Sequence, residues 1–159
     1  IKDNKKFIYE VIKEFAEAKL NDINLVFKHH PRDRGYKNYN NHIQNISKEF
    51  GIQNNVFYIH DYFLSKLFQN PNCKGTVLIN STVGYQSLYH SVPLRSLGIS
   101  PFNIEGLSDQ RDLISFFKNP LPVDKLLFNK FYKFVLENSQ INGNFDGFFP
   151  FKDVFIFKK

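Results

Sequence analysis

Apolar side chains at Phe7, Ile8, Val11, Ile12, Phe15 and Leu20 recur at one-turn spacing with Lys and Glu between them, so residues 4–20 are predicted to form an amphipathic helix. Asn21-Asp22 ends it, and the apolar run from Ile23 to Lys28 reads as a buried strand. Pro31 and Gly35 exclude regular structure over 31–39, and a polar helix follows over 40–50, stopped by Gly51 in a left-handed conformation. Val56–Ile59 is the second predicted strand, with Asp61 as N-cap of a short helix through Leu64, Leu67 and Phe68. Thr76 to Asn80 is the third, and Ser81 or Thr82 then caps a helix to His90. Pro93 to Leu97, closed by Gly98, is the fourth. Ser108 is expected to cap a helix carrying Leu113, Ile114, Phe116 and Phe117, and a last amphipathic helix covers 123–138. Val154 to Phe157 is a candidate strand in the tail.

The order α β α β α β α β α α predicts an α/β fold: a parallel sheet joined by right-handed crossovers, with helices on both faces. No internal repeat or low-complexity linker interrupts residues 1–159, which read as a single domain. The first residue is Ile and Met is absent, so the chain is expected to be a fragment of a larger protein.

Charge and cysteine content narrow the chemistry. A formal charge of +6 calls for an anionic partner, which a nucleotide, a polyanionic glycan, acidic lipid headgroups or nucleic acid would all satisfy. The single cysteine, Cys73, excludes an internal disulfide and a cysteine-based zinc site. No apolar run is long enough to span a bilayer.

The candidate chemistry sits at the carboxyl ends of two predicted strands, where open α/β sheets bind ligands. After the first strand comes His29-His30-Pro31-Arg32-Asp33-Arg34-Gly35-Tyr36. A histidine ring N–H can donate to a phosphate oxygen, and Arg32 or Arg34 can add bidentate, charge-assisted bonds. The competing view makes His29 a core residue of the strand and leaves the arginines in solvent. After the third strand comes Asn80-Ser81-Thr82-Val83-Gly84 at the start of a helix. Free amides and the helix dipole favour an anion there, the hydroxyls of Ser81 and Thr82 can bond it, and Gly84 permits close approach. Plain N-capping by either hydroxyl explains the same residues without a ligand. Glu105 can accept from ribose hydroxyls or serve as a solvated loop carboxylate. The sequence contains neither a P-loop nor a Gly-x-Gly-x-x-Gly fingerprint, and Gly-x-Ser-x-Gly is absent.

Phe27–Tyr36 together with Asn80–Leu88 resembles the bacterial capsular polysaccharide biosynthesis/export family, and more narrowly its β-Kdo transferases. Pro93–Gly98 and Gly106-Leu107 continue the likeness, which covers residues 23–120. The resemblance implies the C-terminal, Rossmann-like half of a GT-B glycosyltransferase, binding CMP-Kdo and transferring Kdo to a glycolipid or polysaccharide acceptor. It implies contact of His30, Ser81 and Thr82 with the CMP phosphate, His30 being the catalytic candidate. No cofactor or metal is expected. A cytoplasmic location is implied, with peripheral attachment to the inner membrane and the capsule export complex. The rival reading from the basic balance is a non-catalytic module that docks on that export machinery or on an acidic membrane surface. Nucleic-acid binding ranks last, since the charge comes with no recognition motif.

Overall fold

The structure, a computed structural model, describes residues 3–29 and 37–139. It divides into two compact units, Ile1–Val123 and Asp124–Lys159.

The first unit opens with α1 (Asn4–Ala18), whose N-cap is Asp3, its carboxylate accepting from the Lys5 and Lys6 amides. The helix ends when Lys19 turns left-handed at φ 55°. Its apolar stripe, Ile8, Val11, Ile12, Phe15 and Ala18, is buried. Strand β1 (Leu25–Lys28) follows, then α2 (Asn40–Glu49) and β2 (Val56–Ile59). Gly51, at φ 71°, supplies the left-handed residue expected after α2. β1 and β2 pair in parallel with Leu25 opposite Val56 and Phe27 opposite Tyr58. Side chains alternate across a strand. Leu25, Phe27, Val56 and Tyr58 accordingly meet Ile8, Ile12, Ile43 and Ile46 of α1 and α2. Val26 and Phe57, of opposite parity, are 45% and 46% exposed. One face of this pair is therefore uncovered, where helices on both faces were expected.

The rest of the unit comprises α3 (Leu64–Gln69), β3 (Thr76–Leu78), α4 (Val83–Tyr89), β4 (Leu94–Ser96) and α5 (Leu113–Lys118). β3 and β4 are parallel, Thr76 opposite Leu94 and Leu78 opposite Ser96. The buried Ser87 hydroxyl ties α4 to this ladder, lying 3.0 Å from the Thr76 hydroxyl and 3.1 Å from the Val92 carbonyl. Phe102, Leu88, Leu94 and Leu107 fill the core beside it, each 1% exposed.

The α/β alternation and parallel pairing match the reading of the sequence, but the four strands form two separate two-stranded sheets rather than one. Two expected caps also move. α3 begins after Phe63 rather than Asp61, and no side chain caps it. α5 is capped by Asp112, which accepts from the Ser115 amide at 2.8 Å, while Ser108 is buried upstream.

The second unit contains α6 (Lys125–Ser139). Asp124 receives the Leu126 and Leu127 amides at 2.9 and 3.0 Å, and Lys133 lies 3.8 Å from Glu137 one turn on. The candidate tail strand at Val154–Phe157 lies outside the described residues. Among the described residues no helix is long and apolar enough to cross a membrane.

Candidate functional site

A cleft of about 1200 Å³ opens between the two sheets within the first unit. It is walled by β1 with His29 on one side and by β3 with Asn80, Ser81 and Thr82 on the other. The two strand ends singled out in the sequence thus border one space.

His29 continues the β1–β2 ladder, its amide donating to the Ile59 carbonyl at 2.8 Å. The side chain is 5% exposed, as the core reading anticipated. Its Nδ1 shares a hydrogen bond with the Tyr58 hydroxyl, and the ring stacks on His60 with centroids 4.7 Å apart. Nε2 has no hydrogen-bond partner among the described residues. Backbone and ring together hold His29 at the end of β1. His30, Arg32 and Arg34 themselves lie outside the described residues.

On the opposite wall Thr82 occupies the N-cap position of α4, but its side chain makes no capping bond and is exposed. The Ser81 hydroxyl accepts from the Val83 amide at 3.3 Å, a local turn contact. Neither the Ser81 nor the Thr82 amide donates to another described residue. Among the described residues two amides and one hydroxyl are thus without a partner at the carboxyl end of β3, an arrangement that suits an anion.

Gly84 is buried and faces inward: a Cβ there would come within 2.4 Å of Phe102 Cζ. The seating of α4 on Phe102 accounts for its missing side chain. Glu105 is exposed and does not line the cleft. No group of three or more His, Cys, Asp or Glu side chains among the described residues is placed to hold a metal ion.

Two groupings were not anticipated. Tyr58 and His60 share a strand face with His29 across the parallel pair, and the i, i+2 parity of β2 is the signal that points to them. The other lies away from the cleft. Asp109, with a fully buried side chain, accepts from the Arg111 amide and Nε at 3.0 Å, from Arg111 Nη2 at 2.6 Å and from the Leu121 amide at 3.2 Å. The Arg111 guanidinium holds the Asp109 carboxyl well below the usual range, at about 2.

Residues 2–146 match the family described as capsule polysaccharide biosynthesis protein. The chain is 38% identical over 152 residues to the capsule polysaccharide modification protein LipB of Neisseria meningitidis serogroup A, a match that covers 94% of this chain and 36% of LipB. It is 36% identical over 141 residues to the capsule polysaccharide export protein KpsS of Escherichia coli, covering 89% of this chain and 36% of KpsS. The chain spans about a third of the length of these curated relatives. No solved structure matches it.

Proposed function

This chain belongs to the capsule polysaccharide biosynthesis protein family, and from that premise we propose that it is the donor-binding portion of a glycosyltransferase. The donor is a CMP-activated sugar, CMP-Kdo, and the acceptor a capsule glycolipid or polysaccharide. The fold is read as the Rossmann-like, C-terminal half of a GT-B enzyme, acting in the cytoplasm at the inner membrane beside the export machinery.

The observation that supports this reading is the shared cleft. Its two walls end in His29, directly before His30-Pro31 in the sequence, and in Ser81 and Thr82, whose amides have no partner among the described residues. In transfer the acceptor hydroxyl attacks the anomeric carbon, the bond from that carbon to the phosphate oxygen breaks, and CMP departs with new negative charge on its phosphate. The acceptor proton passes to a base outside the residues assigned here. The residues assigned to the departing phosphate are His30, Arg32 and Arg34, which follow His29 in the sequence, together with Ser81 and Thr82 at the end of β3; donors set in place before the reaction stabilise the developing charge without reorganising. Gly84 acts one step removed, by letting α4 sit against Phe102.

Calorimetric titration with CMP tests the reading. Saturable one-to-one binding is expected, weakened by salt because the contacts are ionic. A module that only docks on export proteins or acidic lipid, the reading favoured by the +6 charge alone, gives no heat with CMP.

A further inference from the structure

The edges of β1 and β3 that face away from their partners both border the cleft. β1 bonds only to β2, and β3 only to β4, among the described residues. In a parallel ladder alternate amides point to opposite sides of a strand. The Leu25 and His29 amides donate toward β2, to Asn55 and Ile59, each at 2.8 Å, so the amides of Val26 and Lys28 point the other way. The Thr76 amide donates to Pro93 beside β4 at 2.8 Å, so that of Val77 points away from β4. Leu25–Lys28 and Thr76–Leu78 all line the cleft, to which β4 contributes no residue. Parallel sheets are ordinarily buried on both faces, and an uncovered strand edge is a row of unpaired groups that proteins cover or pair. A cavity of about 1200 Å³ also exceeds the ~300–1,000 Å³ of ordinary small-molecule pockets.

We propose that the body of this cleft is the seat of a fifth strand: an extended, apolar segment of the same protein, parallel to β1, bonded to β1 on one edge and β3 on the other. The segment is the one joined to the amino end of α1. That helix walls the cleft through Phe7, Ile8, Val11 and Phe15 and leads directly into β1. A strand feeding α1 and returning through β1 is the right-handed crossover that parallel sheets use almost without exception. The relatives have nearly two thirds of their length outside the match.

The added strand merges both sheets in the order β2–β1–new–β3–β4. From it the chain steps outward through β1 to β2, then resumes on the other side with β3 and β4. The order reverses between the new strand and β3, and crevices at such reversals are where open α/β sheets take ligands. The ligand space is then confined to the carboxyl ends, beside His29 and Ser81, with the new strand as its floor. This inference concerns the sheet and stands whether or not the ligand is a CMP-sugar.

Amide hydrogen exchange tests it on two forms: the 159-residue chain and the full-length gene product. In the full-length protein Val26, Lys28 and Val77 are expected to exchange about a hundredfold or more slower than in the 159-residue chain. Fast exchange in both forms overturns the proposal. Slow exchange in the shorter form also overturns it, pointing to direct β1–β3 closure or to the chain's own candidate strand at Val154–Phe157 if independent of concentration, and to a second copy in the cleft if not.

Discussion

On the proposed donor-binding role, replacing His30 by alanine (His30→Ala) is expected to lower sugar transfer by the full-length protein by about 10²–10³-fold, the usual cost of removing one donor aimed at developing charge. The loss should fall chiefly on kcat, because the phosphate gains its extra charge as the sugar departs. The thermal midpoint should stay nearly unchanged. His29→Ala is the contrast within the same motif. His29 is 5% exposed, bonded through its ring to Tyr58 and stacked on His60, so its loss should appear as instability. Both effects are read by steady-state kinetics beside thermal unfolding. Unaltered turnover in His30→Ala would remove His30 from the site.

The second large effect concerns the scaffold. Asp109 joins three parts of the chain that are not neighbours in sequence. Its amide donates to Leu94 on β4 at 2.7 Å, and its carboxylate receives Arg111 and the Leu121 amide, while Arg111 Nη2 reaches the Asn119 carbonyl at 2.6 Å. Asp109→Asn keeps the shape but removes the charge and turns one acceptor into a donor facing other donors. A loss of roughly 2 kcal/mol is expected, the scale of one charge-assisted hydrogen bond. That corresponds to a fall of about 4–8 °C in midpoint for a chain of this size. The pH dependence carries its own sign. The folded carboxyl is depressed to about 2 from an ordinary 3.8. Its contribution is therefore complete above the unfolded value and is lost as pH falls from about 5 through about 2. The gap between wild type and Asp109→Asn should narrow over that window. A gap that stays constant from pH 7 to pH 2 would mean that the charge of Asp109 does not stabilise the fold.

Much of this architecture is legible in the sequence because the relevant signals are local. The four strands are short apolar runs bounded by Asn, Asp, Gly or Pro, and each was found within two residues of its position. Gly51 announced its own left-handed turn. Caps were less legible because several polar residues compete near each helix start, and tertiary packing decides among them. Asp61 yielded to Phe63, and Ser108 to Asp112. The Asp109 clip left no local trace, since Leu121 lies twelve residues away and carries no polar side chain. The division into two sheets was equally hidden, for strand pairing is non-local and periodicity cannot tell which edges meet. Within the candidate site, motif spacing located both strand ends, but the role of Gly84 needed Phe102, eighteen residues further on.

A double-mutant cycle read by CMP calorimetry addresses the two-walled phosphate site most directly, using wild type, His30→Ala, Ser81→Ala and the double variant of the full-length protein. If one phosphate is held from both walls, each single variant binds CMP more weakly, and the double variant departs from the product of the two losses by about threefold or more, as contacts to a shared partner do. Losses that multiply independently, or CMP affinity untouched by either change, would contradict a shared site.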